Sequence, residues 1–336
     1  MKKLIPLLLL SLTWTSSAQP PDSPVRVVMN GFVANNVIAG SVTAVATKSD
    51  ILSLETTGFA NLEKKTTMPP DALFWIASMT KPMAAVCVLQ LQEAGKLSIE
   101  DPVEKHLPEF AGQWMVESRA KGKLTLKKPA RAITIRDLLT HTSGLPNTNS
   151  PRPESTLAEL VMSYSKTPLQ FEPGSRWSYS NAGINVLGRI VEIVSDTPFA
   201  DYLQARVLDP CGMKDTTFWP SPAQAKRIAS SYRPDSKGKL QPVEVYFLKG
   251  GLSNRKRTPY PAGGLYSTAA DVVAFYQMIL NGGTYKGKRV LRKESVTLMT
   301  RTQTGDIKTG FVDGMSWGLG FQVVKAPMEV TASLSA

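Results

Sequence analysis

A serine and a lysine stand three residues apart where a long apolar segment begins, in the stretch FWIASMTKPMAAVCVLQLQEAG from Phe74 to Gly95. Pro82 fits a helix only in its first turn, where a missing N–H costs little, and Gly95 is a natural helix end. The pattern therefore predicts a helix that begins at about Ser78 or Met79. In that helix Ser78 and Lys81 lie one above the other on one face.

This placement suits nucleophilic catalysis. A free serine hydroxyl is a weak nucleophile that needs a neighbouring base, and burial lowers the pKa of a lysine toward that use. The Ser78 N–H at a helix N-terminus also favours a developing oxyanion. The competing interpretation is a serine that caps the helix beside a surface lysine.

The spacing alone does not decide between these interpretations. Four other Ser-x-x-Lys pairs occur, at Ser118/Lys121, Ser163/Lys166, Ser236/Lys239 and Ser253/Lys256. Only Ser78 follows an apolar, aromatic approach, LFWIA, and opens a long apolar helix. This context singles out Ser78 and Lys81.

A second group of polar residues stands in RWSYSNAG, the only place where a tyrosine precedes an asparagine by two positions. A Tyr179 hydroxyl near a lysine ammonium can share its proton, so the two groups titrate as a pair. Asn181 offers an amide to a substrate carbonyl. The alternative is a buried tyrosine beside an asparagine that caps the next helix.

The elements around these residues follow from periodicity and turn signals. Alternating Val and Thr residues in SVTAVATKSDILSLETTGFAN predict an antiparallel hairpin. Helices are predicted in TIRDLLTHTSGLP, in SNAGINVLGRIVEIVSDTPFADYLQARVLDPCGM with a break at Thr197-Pro198, and in STAADVVAFYQMILNGG. SWGLGFQVVKA is predicted to be a strand. Strands early and late with helices between them indicate an α/β sheet lobe with an inserted helical lobe.

Four segments in this order resemble the serine β-lactamase and penicillin-binding protein superfamily, in its class C-like branch with family VIII esterases and D-aminopeptidases. They are FWIASMTKPMAAVCVLQLQEAGKLSIEDPVEKHLPEF, ITIRDLLTHTSGLP, EPGSRWSYSNAGINVLGRIVE and PAGGLYSTAADVVAF. The resemblance implies a β-lactamase/transpeptidase-like α/β (α+β) fold, with an antiparallel sheet lobe flanked by helices and an inserted helical lobe.

The resemblance also implies roles for particular residues. Ser78 would be the acylated nucleophile, Lys81 its base, Tyr179 the proton relay that activates the deacylating water, and Asn181 a substrate-orienting group. No metal and no organic cofactor is implied. The substrate would be a small ester or amide, a β-lactam or a peptidoglycan-like D-peptide. A promiscuous esterase is the favoured activity among these.

One family motif, Lys/His-Thr/Gly-Gly, is not found where the family places it. Lys308-Thr309-Gly310 matches the letters but precedes SWGLGFQVV, whereas relatives have that strand before the motif. The chain is therefore expected to be incomplete at its C-terminus, without the motif strand. Loss of one oxyanion donor typically lowers a rate about a hundredfold to a thousandfold. The competing function is accordingly a non-catalytic member that binds ligand, or is acylated by it, without turnover.

Other candidate residues are weaker. Gly314 to Gly318, GMSWG, matches a hydrolase nucleophile elbow around Ser316, but a strand follows it and both histidines lie upstream, which favours a chance match. His141 is expected to shape a loop near the site rather than to transfer protons, and His106 to be a surface residue. The segment QWMVESRAKGKLTLKKPA is either an insertion that rims the site or a solvated loop.

Composition limits the remaining possibilities. The chain has 336 residues, is 42% hydrophobic and carries a formal charge of +12, which indicates a solvated basic surface or attraction to acidic cell-envelope polymers. No nucleic-acid motif is present.

MKKLIPLLLLSLTWTSSA predicts an export signal cleaved after Ala18, so one hydrolase domain at 19–336 is expected in the periplasm or outside the cell, without a membrane span. Cys87 and Cys211 are expected to be a buried thiol and a loop thiol. The oligomeric state is not predicted.

Overall fold

The structure is a computed structural model that describes residues 23–120, 122–147, 154–245, 251–310 and 312–326. The predicted export signal at 1–18 lies outside the described residues. Within them, no helix combines the length and the apolar character needed to cross a membrane.

Runs of strands and runs of helices follow one another along the described residues. The α-helices are α1 (Pro24–Ala34), α2 (Thr80–Glu93), α3 (Val103–His106), α4 (Ile135–Leu139), α5 (Leu157–Ser165), α6 (Asn181–Ser195), α7 (Phe199–Leu203), α8 (Pro222–Ala225), α9 (Ala269–Leu280) and α10 (Lys293–Thr300). The strands are β1 (Gly40–Ala46), β2 (Ile51–Asn61), β3 (Thr66–Thr67), β4 (Phe74–Trp75), β5 (Met115–Ala120), β6 (Lys123–Lys127), β7 (Tyr232–Pro234), β8 (Leu240–Pro242), β9 (Tyr266–Ser267), β10 (Thr284–Tyr285), β11 (Lys288–Arg289), β12 (Met315–Trp317) and β13 (Gln322–Val324). Short 3₁₀ turns lie at Ala77–Met79 and Pro108–Phe110, and a π turn at Gln204–Leu208.

Helix α2 forms the centre of the main hydrophobic core. Its residues 83–89 are each at most 1% exposed, so the helix is buried on all sides rather than on one stripe. It packs against α6 and α7. Each fully buried side chain such as Leu89 stabilises the fold by about 1.5–3 kcal/mol, so Lys81 stands on a helix that the core holds in place, and Ser78 lies in the turn just before it.

The predicted hairpin is confirmed. β1 and β2 are antiparallel, from Gly40 opposite Gly58 to Ala46 opposite Ile51, and β3 adds to β2. The other strands pair in twos, and all their pairs are antiparallel. Among them β4, just before Ser78, pairs with β9. The mixed α/β class with an antiparallel sheet is therefore confirmed.

The break predicted between two helices at Thr197-Pro198 is also confirmed. Helix α6 ends at Ser195, and Asp196 then adopts a left-handed backbone with φ of 53°. Pro198 precedes α7. This turn reverses the chain, so that α7 packs back on both α6 and α2.

The single strand predicted in SWGLGFQVVKA is wrong, because the segment is a tight hairpin of β12 and β13. The turn contains Gly318 and Gly320, and Gly320 has a φ of 79°. A Cβ on Gly320 would stand 2.7 Å from the Ala85 Cβ of α2, and one on Gly318 would stand 2.1 Å from the Met299 carbonyl oxygen. The glycines therefore bend the strand and let the turn approach α2.

Both cysteines are free thiols. Cys87 is buried within α2, as predicted. Cys211 lies in a turn, as predicted, but it too is fully buried. Burial raises the pKa of Cys211 to about 12, so the thiol is inert.

Candidate active site

Lys81 lies in the first turn of α2 and points its ammonium at three oxygen atoms. Its Nζ is 2.9 Å from Ser78 Oγ, 2.8 Å from Asn181 Oδ1 and 2.6 Å from the Ala262 carbonyl oxygen. The residue is 2% exposed. The three N–H bonds of an ammonium are thus matched by three acceptors, and one of these acceptors is the candidate nucleophile.

No carboxylate compensates this buried charge among the described residues. Burial lowers the pKa of Lys81 from 10.5 to about 7. At neutral pH a substantial fraction of the lysine is therefore uncharged. In that form two N–H bonds still serve Asn181 and Ala262, and the lone pair is left for the Ser78 hydroxyl proton.

Ser78 is exposed, in contrast to Lys81. It lies in the 3₁₀ turn that leads into α2, directly after Ala77, whose φ is 45°. A positive φ is strained for a residue with a Cβ. Within the described part of the chain no hydrogen bond from the Ser78 backbone N–H is present. Its hydroxyl is therefore open to substrate, and its N–H is available to an oxyanion.

Tyr179 reaches the same point from a different part of the chain. Its phenol hydrogen-bonds to Ser78, and Lys81 Nζ lies 4.7 Å from the centroid of its ring. Burial raises the pKa of Tyr179, while the hydrogen bond from Ser78 lowers it. Ser78, Lys81 and Tyr179 therefore form one contiguous network in which a proton can move.

Asn181 is the first residue of α6, and its side chain faces Lys81 rather than open solvent. Oδ1 accepts from Lys81 Nζ, and Nδ2 donates to no other described residue. Ser180 caps the helix, because its Oγ accepts the Gly183 N–H at 3.0 Å. The predicted group is thus brought together: all four residues, Ser78, Lys81, Tyr179 and Asn181, share hydrogen bonds or ring contacts.

Asn147, which sequence reasoning did not single out, holds this part of the site in place. Its Oδ1 accepts the Asn181 N–H at 2.6 Å and the Ala182 N–H at 3.4 Å, and its Nδ2 donates to the Tyr179 carbonyl at 2.8 Å. The sequence signal was weak, since asparagine after Pro146 is an ordinary loop residue. Only the contact across more than thirty residues reveals its position.

The Ala262-Gly263 segment was also missed as part of the site. Its Ala262 carbonyl accepts from Lys81, and its N–H donates to Asn185 Oδ1 at 3.1 Å. The Gly263 carbonyl accepts from Trp75 Nε1 at 2.6 Å. A Cβ on Gly263 would lie 3.4 Å from the Ala77 backbone. The segment thus packs behind Ser78, and the glycine pair in PAGGLYST was the available signal.

The weaker sequence candidates lie elsewhere in the fold or are unsuited to chemistry. Ser316 is 1% exposed inside β12, with its hydroxyl bound to Thr302 and Thr304, and the element that follows it is the strand β13. Lys308 lies in a loop with an 86% exposed side chain, ion-paired with Asp313, and so does not occupy a strand that lines a site. His106 contacts Asp101.

The described residues contain no cluster of His, Cys, Asp or Glu suited to a metal ion. The segment QWMVESRAKGKLTLKKPA forms the β5–β6 hairpin, whose turn side is exposed and whose base joins Leu169. The chemistry that this arrangement supports is therefore attack by an exposed hydroxyl, with a buried amine and a phenol as its proton acceptors.

Comparison with known proteins finds similar sequences along most of this chain. The family model described as Beta-lactamase matches residues 25–332. Protein Rv1367c of Mycobacterium tuberculosis is 35% identical over 322 residues, which cover 87% of this chain and 76% of that protein. Esterase EstB of Burkholderia gladioli is 32% identical over 271 residues, which cover 72% of this chain and 66% of that protein.

Solved structures show the same fold at lower identity. EstCE1, described as a hydrolase with promiscuous acyltransferase activity, superposes with a TM-score of 0.73 at 23% identity, covering 91% of this chain and 83% of its own. Simvastatin synthase (LovD) from Aspergillus terreus gives a TM-score of 0.74 at 20% identity, covering 90% and 83%. With the family model spanning nearly the whole chain, this protein belongs to the β-lactamase family of serine hydrolases.

Proposed function

We propose that this protein hydrolyses carboxylic esters through an acyl-enzyme on Ser78, with Lys81 and Tyr179 as the base. The observation that carries the proposal is the 2.9 Å contact between Ser78 Oγ and a buried amine whose pKa is about 7. A base with a pKa near the working pH is both available and strong enough to accept a serine proton.

The acylation step can be written with every proton placed. The Ser78 proton moves to the Lys81 lone pair, directly or through the Tyr179 oxygen, as Oγ bonds to the ester carbonyl carbon. The oxyanion that forms accepts from the Ser78 N–H at the start of α2, where the helix dipole also favours negative charge. The proton then passes to the alkoxide leaving group as the C–O bond breaks.

Deacylation uses the same groups. Tyr179 with Lys81 accepts a proton from a water that attacks the acyl carbon, and the proton returns to Ser78 as the acid leaves. Asn181 keeps Lys81 in place through Oδ1, and its Nδ2 is a donor for the substrate carbonyl. This sequence needs neither a metal nor an organic cofactor.

Among the possible acyl substrates, esters are favoured by the relatives. EstB, at 32% identity, is named an esterase. The relative named putative D-alanyl-D-alanine carboxypeptidase in Salmonella typhi is 26% identical over 333 residues. Ester hydrolysis is therefore the proposed activity, and cleavage of D-peptides or β-lactams is an alternative outcome for the same site.

We also propose that residues 1–18 are an export signal and that one hydrolase domain follows from residue 19. The basic start, the short apolar core and the small residues before Gln19 support the signal. The family match over 25–332 supports a single domain. Mass spectrometry of the intact chain recovered from an exporting host gives the cleavage point, because the missing mass identifies the residues removed.

The proposal is tested by covalent labelling. Intact-mass spectrometry after treatment with a fluorophosphonate should show one adduct on Ser78, and p-nitrophenyl butyrate should be turned over. Ser78→Ala should abolish both, because the nucleophile is gone. The matched control is Ser163→Ala, since Ser163 also precedes a lysine by three residues and lies on a different helix.

Labelling that survives Ser78→Ala would falsify the assignment of the nucleophile. An adduct without turnover in the unaltered chain would instead establish the competing function, a protein that is acylated but does not deacylate.

A further inference from the structure

A buried histidine that the proposed reaction does not use lies beneath Tyr179. His141 is 0% exposed and follows the end of α4 with a left-handed backbone at φ 60°. Such a conformation is uncommon for histidine and persists only where the surroundings enforce it. In this conformation the carbonyl and the ring of His141 both contact the segment that contains Tyr179.

Both neighbours of Tyr179 are hydrogen-bonded to this one residue. The His141 carbonyl accepts the Ser178 N–H at 2.9 Å, and the His141 Nδ1 accepts the Ser180 N–H at 3.2 Å. Tyr179 is the residue between them. The backbone on each side of the phenol is therefore anchored to His141 before any contact with Ser78 is made.

The imidazole ring also packs directly against the phenol. The ring centroids of His141 and Tyr179 are 4.6 Å apart at an interplanar angle of 41°. Trp317 meets His141 edge-on at 4.9 Å, and Trp177 meets it at 6.1 Å with perpendicular planes. These distances are typical of favourable aromatic contacts, so the phenol is supported through its face as well as through its backbone.

The hydrogen bonds determine which nitrogen carries the proton. An Nδ1 that accepts from Ser180 must use its lone pair, so the proton of the neutral ring is on Nε2. Nε2 has no hydrogen-bond partner among the described residues. The titratable groups that face the ring are Lys81 and Tyr179, and the Lys81 charge disfavours an imidazolium. Burial and the Lys81 charge lower the pKa of His141 to about 3.

We infer that His141 is a positioning residue, neutral and protonated on Nε2, whose Nδ1 lone pair and carbonyl hold Tyr179 where its phenol reaches Ser78. This inference rests on the proposed function, because Tyr179 matters only if it moves a proton. This role differs from that of a general base. The imidazole acts through its Nδ1 acceptor and through its packing against the Tyr179 phenol, and it takes up no proton during the reaction.

Two variants of nearly equal size separate these roles. In His141→Asn the amide oxygen replaces the Nδ1 acceptor, and asparagine tolerates a positive φ. His141→Leu has the same outline without an acceptor. We expect the rate of Ser78 labelling to fall by about tenfold to a hundredfold in the leucine variant, since small misplacements of a catalytic group have effects of this size. The asparagine variant should keep most of the rate.

Two further readouts accompany the rates. The melting temperature of each variant, measured by circular dichroism, confirms that the labelling temperature lies well below unfolding. The pH dependence of labelling should keep its midpoint in both variants, because His141 is not the titrating base. Equal losses in the asparagine and leucine variants, or a midpoint that moves with the substitution, would overturn the inference.

A measurement that needs no activity tests the protonation state of His141 even if the proposed function fails. Two-dimensional ¹⁵N–¹H spectra of the histidine-labelled chain should show one ring with an unprotonated Nδ1 and a protonated Nε2 that does not titrate between about pH 5 and 8, the range in which an ordinary histidine does. His141→Asn should remove that signal and leave that of His106. If the unaltered chain is not labelled at Ser78, the proposed function fails, and the spectra alone decide the state of His141. A ring protonated on Nδ1, or one that titrates in that range, overturns the inference.

Discussion

Two helices begin at the site, and their N-termini differ in capping. Side chains cap the N-terminus of α6, which we call the closed terminus, and no side chain caps that of α2, which we call the open terminus. Helix α6 is closed: the Ser180 hydroxyl accepts one of its first N–H groups, and Asn147 Oδ1 accepts two more. The start of α2 has no side-chain cap, and the Ser78 N–H just before it is not used by a described residue.

The difference follows from what each terminus carries. The capped terminus carries Asn181 as the first residue of α6, and Tyr179 comes directly before the Ser180 cap. An uncapped terminus retains its partial positive charge, and at α2 this charge lies next to the candidate nucleophile. One helix thus fixes the groups that move protons, and the other leaves a donor for the charge that develops on the substrate.

The largest expected effect comes from removing the amine at the open terminus. In Lys81→Met the apolar stem remains and the base is lost, so the rate of Ser78 acylation should fall by about a hundredfold to ten-thousandfold. In the unaltered protein the rate should rise as the pH rises through about 7, because only the uncharged lysine accepts a proton. Stopped-flow labelling from pH 5 to 9 measures both effects.

The pH dependence of the free energy of unfolding provides an independent check on Lys81. The folded-state pKa of Lys81 lies below its ordinary value of 10.5. Between these two values the unfolded chain binds more protons, so the free energy of unfolding rises with pH in that interval, and the cost of the buried charge is fully present below about pH 7. The difference in melting temperature between the unaltered protein and Lys81→Met should show this slope, and a flat difference would contradict the burial of a titrating amine.

A smaller effect is expected from opening the closed terminus. Asn147→Ala leaves the first N–H groups of α6 and the Tyr179 carbonyl without their partner, so the free energy of unfolding should fall by about 1 kcal/mol. The rate of labelling should fall by about tenfold, because Tyr179 and Asn181 lose their support. Chemical denaturation and labelling measure the two changes.

The matched control is a cap on another helix. Thr156 caps α5 with a complete capping box, and its side-chain hydrogen bonds among the described residues all stay within that box. Thr156→Ala should cost about the same free energy of unfolding, about 1 kcal/mol, without a change in rate. Equal rate losses in both variants would mean that Asn147 acts only through overall stability.

The two termini also differ in how well the sequence predicts them. The open terminus was predictable because its signals are local: Ser78, Lys81 and Pro82 lie within five residues, and a helix fixes their spacing. The closed terminus was predictable only in part. Ser180 lies next to α6 in the sequence. Asn147 contacts the start of α6 from more than thirty residues away, and no periodicity in the sequence indicates such a contact.

The hairpin of β12 and β13 was missed for a related reason. The apolar letters of SWGLGFQVV are those of a strand, and the prediction gave them more weight than the two glycines between them. Gly318 and Gly320 are needed because the turn lies against Met299 and Ala85, a close approach that exists only in the folded chain. Local propensity predicted one strand over this segment, and tertiary contact divides it into two strands with a turn between them.

The smallest effect concerns the strain beside the open terminus. Ala77 has a φ of 45°, which costs a residue with a Cβ about 1–2 kcal/mol. Ala77→Gly should therefore raise the free energy of unfolding by about 1 kcal/mol after the extra backbone entropy of glycine is subtracted. Lys65→Gly is the control, since Lys65 has a φ of 50° in an exposed turn.

The two variants should differ in rate and not in stability. Both relieve a strained backbone, but only Ala77 fixes the direction of the Ser78 N–H. Labelling should slow by about threefold in Ala77→Gly and stay unchanged in Lys65→Gly, because glycine lets the N–H turn away from the position of the oxyanion. If Ala77→Gly is more stable and equally fast, the strain at Ala77 serves the packing against Gly263 rather than the open terminus of α2.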